Sequence, residues 1–219
     1  MDKTILNYIE INNFILSKFV QAKNSKFPKI IAISKTFPIS KIKPLIDYGH
    51  THFGENKVQE AAEKWSDIKL SHPLINLHLI GKLQTNKVKI ALNLFDFIHS
   101  LDSEKLAKKI ANEQKRISKK VKIFIQINIG DESQKSGIDI KNIDEFYFFC
   151  KELNLDIIGL MCIPPLNKDP DIYFKKMLNL NRKLNLKELS MGMSSDYKNA
   201  LKFSSTFLRI GSNIFGSRN

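Results

Sequence analysis

The sequence predicts a single (β/α)8 barrel preceded by one additional helix, and three observations carry that prediction. Eight short apolar runs of strand length recur along the chain. Between them lie amphipathic stretches whose apolar residues repeat at three and four, the period of a helix with one buried face. The 219 residues suffice for one well-buried domain of the barrel class, spanning 1–219, and are short for two. A doubly wound open sheet would want a glycine-rich first turn, and the first apolar run, "KIIAISKTFP", has no glycine.

Taken in order, "MDKTILNYIEINNFILSKFV" is the additional helix. Asp2 and Glu10 stand where a signal peptide would be basic and then unbroken apolar. The strands are read at 29–35, 52–56, 77–81, 95–102, 121–130, 156–163, 188–194 and 206–216. Most are rich in Ile, Phe, Leu or Met, and most stop at or just before Gly, Pro, Asn or Ser. The helices are read at 39–49, 57–66, 85–93, 103–118, 141–153, 169–184 and 195–204. Leu106, Ile110 and Ile117, or Phe174, Met177 and Leu178, show the repeat most clearly. No linker or repeat interrupts this alternation, which is the signature of a parallel sheet with crossover helices.

Composition narrows the function classes. Hydrophobic content of 42% and charged content of 26% are ordinary for a folded domain, so disorder is not indicated. No apolar run approaches a membrane span, and a cytoplasmic protein is expected. The net charge of +13 invites a nucleic-acid reading, but the lysines are scattered over every predicted helix without an aromatic-interleaved tract. They read as solvated faces, and no specific nucleic-acid partner is expected. Cys150 and Cys162 sit in apolar contexts without CxxC spacing, as small core residues do. His50, His52, His72 and His99 form no ligand spacing, so no metal is expected.

In a barrel of this kind the chemistry sits at the carboxyl ends of the strands. "SMGMSSDY" (190–197) runs from a strand through Gly192 and Met193 to Ser194, which reads as the cap of the next helix. "RIGSNIFG" (209–216) adds Arg209, Gly211 and Ser212 immediately beyond. Two such turns after the seventh and eighth strands favour a phosphate there. Lys35 ends the first strand, where a lysine costs desolvation energy unless it is paired, neutralised or used chemically. Burial and a nearby arginine would favour its free amine, the form that attacks a carbonyl. Lys35 facing Arg209 across the barrel mouth, with a phosphate at the rim, suggests pyridoxal 5′-phosphate, PLP. A phospho-sugar lyase with a Schiff-base lysine remains the alternative.

The motifs "AISKTFP", "FGENKVQEAAEKW", "LHLIGKLQTNK", "FIQINIGDESQKSGID", "GLMCIPP", "LSMGMSSDYKNAL" and "STFLRIGSNIFGSR" resemble, in order, those of the YggS/PROSC family of PLP homeostasis proteins. The resemblance runs from about residue 30 to the carboxyl terminus. It implies a barrel like the amino-terminal domain of alanine racemase, with Lys35 carrying the cofactor as a Schiff base. By the same resemblance Asn56 lies beside the ring, Met193, Ser194, Gly211 and Ser212 form the phosphate loops, and Arg209 faces the ring nitrogen. Many relatives have another small residue, often Thr, at the position of Ser212.

Other residues are assigned more weakly. His78, alternating with apolar neighbours in "LHLIG", is expected to point into the barrel and support the site. Glu55 is open between pairing with a lysine and acting on substrate. Lys82 and Lys87 are read as a basic rim or as solvated helix-start residues, and Lys135 as handling cofactor from a loop over the mouth. The role implied is a monomer that holds PLP and passes it to apoenzymes. A racemase needs a second acid/base, supplied in alanine racemases by another domain and subunit, and the chain is expected to end before any such domain. Slow racemisation is the alternative activity.

Overall fold

The computed structural model describes residues 1–21, 26–132 and 136–217. It opens with α1 (Lys3–Gln21), followed by β1 (Lys29–Ile33), α2 (Ile39–Asp47), β2 (His52–Glu55) and α3 (Val58–Ser71). Then come β3 (Asn76–Leu79), α4 (Val88–Leu94), β4 (Phe97–Leu101), α5 (Glu104–Ile117) and β5 (Lys122–Ile127). The last third holds α6 (Ile143–Glu152), β6 (Ile157–Cys162), α7 (Pro170–Lys183), β7 (Glu188–Met193), α8 (Tyr197–Leu201), β8 (Phe207–Ile210) and α9 (Ser212–Phe215). Short 3₁₀ turns at Thr85–Lys87 and Ile140–Asn142 lead into α4 and α6. The eight strands close into one parallel barrel in chain order, β1 pairing with both β2 and β8.

The apolar side chains separate into two cores. The larger lies between strands and helices, where Ile42, Leu45, Trp65, Leu92, Ile110 and Phe174 are buried against outward-facing strand residues. The smaller fills the barrel interior with Ile31, Ile33, Phe97, Phe124, Met161 and Phe207. Alternation along each strand assigns residues to one core or the other: Ile31 and Ile33 face in, Ile30 and Ala32 face out. Cys150 and Cys162 are buried free thiols, and burial pushes both pKa values up to about 12.

Local signals explain most helix bounds. Ser103 caps α5 by accepting from the Leu106 N–H, and Ser118 closes it in a left-handed conformation with φ of 51°. Asp169 caps α7 ahead of Pro170 at its first position. The additional helix α1 packs beside α9 and α2, with Asn7 Nδ2 donating to the Ile214 carbonyl.

Two sequence expectations are corrected. The eighth strand stops at Ile210, and 212–215 turns into the short helix α9 because Gly211 breaks the ladder and the Ile214 and Phe215 N–H groups bond back to its carbonyl. Ser194 does not cap α8. That helix begins three residues later, and Asp196, the residue before it, turns its carboxylate back to accept from the Met193 N–H at 2.6 Å.

Candidate functional site

The carboxyl ends of the strands open into a cavity of about 810 Å³. Lys35, Asn56, Met193, Ser194, Arg209, Gly211 and Ser212 all line it, together with Gln126, Lys82 and Asn213. The barrel thus brings together residues far apart in sequence, contributed by the ends of β1, β2, β3, β5, β7 and β8.

Lys35 lies two residues past β1, bracketed by a polar clamp. On one side Ser34 donates its hydroxyl to Glu55 Oε1 at 2.8 Å. Lys64 of α3 donates to the same oxygen and to the Ser34 carbonyl, both at 3.0 Å, and Trp65 Nε1 donates to Glu55 Oε1 at 3.0 Å. On the other side the Thr36 N–H donates to Glu60 at 2.8 Å, with Thr36 in the left-handed region at φ of 68°. Burial opposes ionisation of Glu60, but the Thr36 N–H and Lys64 hold its carboxyl below the usual value. Glu55 is therefore paired with a lysine rather than presented to the cavity, and the Glu55–Lys64 pair fixes the backbone that aims Lys35.

Asn56 follows directly on β2. Its Oδ1 is buried without a hydrogen-bond partner, as is Oε2 of the neighbouring Glu55, although buried polar groups are as a rule satisfied. Gly81 presses against the Asn56 backbone: a Cβ there would come within 2.2 Å of the Asn56 carbonyl oxygen. Only glycine permits that approach.

The two turns after β7 and β8 interlock. Ser194 Oγ accepts from the Gly211 N–H at 3.2 Å, and Asn213 Nδ2 donates to the Ser194 carbonyl at 3.0 Å. Gly192 adopts φ of 92° and packs its α-carbon on Ala200, where a Cβ would come within 2.7 Å. The glycines and serine hydroxyls of this rim line the cavity, and hydroxyls that can donate make it a surface suited to an anion.

Arg209 forms the inner wall. It is buried, and its guanidinium donates to the Ser190 carbonyl at 2.6 Å, to Ser190 Oγ at 2.8 Å and to the Cys162 carbonyl at 2.7 Å. Burial lowers its pKa from the ordinary arginine value, partly offset by Cys162 and Asp196. β1 and β8 are neighbours and Arg209 pairs with Ile31, so Arg209 stands deeper than Lys35 on an adjacent strand rather than across the mouth.

His78 does not line the cavity. It is fully buried inside the barrel between His52 and His99, at 2.9 Å from each. Burial, followed by the neighbouring His99, drives its pKa well below 6.5. Sequence reasoning set His52 and His99 aside because it looked for metal spacing. The available signal was parity, since His99 shares its strand face with Phe97. Lys82 and Lys87 do share a rim beside Asn56, where Lys87 donates to Gln59 at 2.8 Å. Lys135 lies outside the described residues. Among the described residues no cluster of ligands could hold a metal ion.

The residues fit a phosphorylated aldehyde. An amine at the end of β1, an orphan amide oxygen, a rim of hydroxyl and glycine turns, and a buried cation are the complement of such a group.

The chain is similar to known proteins over most of its length. Residues 19–219 match the family model "Alanine racemase, N-terminal domain". A pyridoxal phosphate homeostasis protein of Haemophilus influenzae is 39% identical over 209 residues, covering 90% of this chain and 88% of its own. The protein of the same name from Aquifex aeolicus is 36% identical over 200 residues, covering 87% of each chain. The structure of PipY from Synechococcus elongatus with PLP bound superposes with a TM-score of 0.81 at 31% identity, covering 92% of this chain and 100% of that one. With barrel, motifs and relatives in agreement over nearly the whole length, the chain belongs to the pyridoxal phosphate homeostasis protein family.

Proposed function

We propose that this chain binds PLP and acts in its homeostasis, holding the cofactor covalently on Lys35 and releasing it to apoenzymes. The observation that carries the reading is the convergence on one cavity of Lys35, the orphan Asn56 oxygen and the interlocked Ser194 and Gly211–Ser212 turns. When bound, PLP supplies an aldehyde carbon and an aromatic ring able to withdraw electrons. The chain's own residues would do the rest. Lys35 attaches the aldehyde, and the clamp around Ser34 and Thr36 keeps its amine at the mouth. Met193, Ser194, Gly211 and Ser212 hold the phosphate. Arg209, a permanent cation, opposes a second positive charge and so keeps a nearby ring nitrogen unprotonated. A ring so treated is a weak electron sink, which suits storage better than turnover. His78 acts behind this wall rather than on the cofactor.

The same reading makes residues 1–219 one cofactor-binding unit, working as a monomer in the cytoplasm without a specific nucleic-acid partner. No helix among the described residues is long and apolar enough to cross a membrane.

The test is absorption of the purified protein with added PLP, before and after borohydride, for wild type and Lys35→Ala. Wild type should show a visible band that reduction fixes to the chain, and the variant should not. A wild type that stays colourless with excess PLP overturns the reading in favour of the lyase.

A further inference from the structure

Barrel interiors of this type are packed with branched apolar side chains. Here three imidazoles run through the phenylalanines of that core. His78 stacks on Phe97 with ring centroids 4.2 Å apart, and His99 on Phe124 at 4.3 Å. A buried imidazole costs free energy unless both nitrogens are satisfied, and these form a continuous line. His52 Nδ1 lies 2.9 Å from His78 Nε2, His78 Nδ1 lies 2.9 Å from His99 Nε2, and His99 Nδ1 lies 2.9 Å from Ser190 Oγ. Ser190 Oγ in turn accepts from Arg209. The line therefore links the amino end of β2 to the inner wall of the cavity, through β3, β4, β7 and β8.

Its direction follows from the arginine. A guanidinium only donates, so Ser190 Oγ must accept from it. The single Ser190 hydroxyl hydrogen then has one acceptor among the described residues, His99 Nδ1. That nitrogen must be unprotonated, so His99 carries its proton on Nε2 and donates to His78 Nδ1. The same step makes His78 the Nε2–H form, donating to His52 Nδ1. The reverse direction would put two donors on Ser190 Oγ and leave its own hydrogen without an acceptor in the core, a penalty of hydrogen-bond size. In the forward direction every imidazole presents its negative end toward Arg209.

That orientation answers a second question. Arg209 is buried, yet no carboxylate pairs with it among the described residues. Its charge is met by two carbonyls and one hydroxyl, and the hydroxyl is polarised by the imidazoles behind it, as cooperative hydrogen bonds do in low dielectric. Burial keeps His78 and His99 neutral, since it drives both pKa values well below 6.5.

We propose that His52, His78 and His99, through Ser190, form a one-way hydrogen-bond chain that positions the Arg209 guanidinium and stabilises its charge without a carboxylate. Its members are positioning residues, since none reaches the cavity but Arg209. The tautomers stand independently of any ligand, and the consequence for bound cofactor rests on the PLP reading above.

The test begins with ¹⁵N-histidine-labelled protein without added cofactor, its resonances assigned with single His→Gln variants. Two-bond ¹H–¹⁵N correlations at pH 7.5 should show His52, His78 and His99 each as the neutral Nε2–H form. A charged ring, or an Nδ1–H form, at His78 or His99 overturns the chain. Ser190→Ala should turn His99 into a tautomer mixture, weaken PLP retention about tenfold and shift the visible band of bound PLP. Ser190→Thr, which keeps the hydroxyl, should restore all three. A Ser190→Ala protein with an unchanged His99 spectrum and unchanged retention overturns the positioning role. The wild-type spectrum decides the tautomers even if Ser190→Ala fails to fold. Predicted tautomers in a wild type that takes up no PLP would sustain the chain and sink the PLP reading.

Discussion

The strand β1 carries a lysine near each end, and the two ends of the barrel treat them differently. Lys29, at the amino end, lays its stem over the Phe207 ring with its ammonium 5.5 Å from the centroid. Lys122 does the same over Phe97 at 5.1 Å. Both close the barrel floor, among aromatic rings and neutral histidines. Lys35, at the carboxyl end, is bracketed by the Glu55–Lys64 pair and by Glu60 and lines the open cavity. The same residue type on one strand is a lid at one end and a chemical group at the other. What separates them is the company each end provides: rings below, hydroxyls and glycines above.

The largest effect expected from breaking this contrast is all-or-none. Lys35→Ala should abolish borohydride-fixed PLP, whereas Lys29→Ala should retain it at wild-type stoichiometry, read by intact mass. Equal retention by both variants would erase the distinction between mouth and floor.

Acid should strike the floor next. Burial lowers His50 and His52 to about 4, and holds His78 and His99 well below 6.5. Below pH 6.5 the unfolded chain therefore binds protons that the folded chain refuses. Stability present above pH 6.5 should fall as the pH drops toward 4, by up to about 1.4 kcal/mol per pH unit for each histidine. Urea midpoints measured from pH 8 to pH 4.5 would show it, and a flat profile between 6.5 and 5 would refute it.

Lys64→Ala leaves Glu55 buried without its cation, and should cost about 3–5 kcal/mol in denaturant unfolding while also weakening PLP retention. A loss of stability with retention intact would detach the clamp from the aiming of Lys35. Gly81→Ala is the mildest. Its Cβ must push the Asn56 backbone, at about 1–3 kcal/mol, with a weaker hold on PLP as the accompanying sign.

Much of this was readable in the order of residues. The barrel follows from eight apolar runs alternating with helical repeats, because burial on one face of a helix and both faces of a parallel strand leaves different periods. Lys35, Asn56, Met193, Ser194, Arg209, Gly211 and Ser212 share one cavity because a parallel barrel delivers every strand's carboxyl end to the same face. The eighth strand was overread because Ile214 and Phe215 look like strand residues, while a backward hydrogen bond to Gly211 makes them a helical turn.

What only the tertiary structure decided is which polar groups meet. Ser34, Glu55, Lys64 and Trp65 converge on one oxygen, and His52, His78, His99, Ser190 and Arg209 join into one line, although they come from five strands. Periodicity tells which face a side chain takes, since that depends on local backbone geometry. A hydrogen bond between distant strands depends on register, shear and closure of the whole barrel, and these are properties of the assembled sheet. His78 was therefore correctly sent inward by its sequence, and only the closed barrel showed that it meets other histidines rather than the cavity.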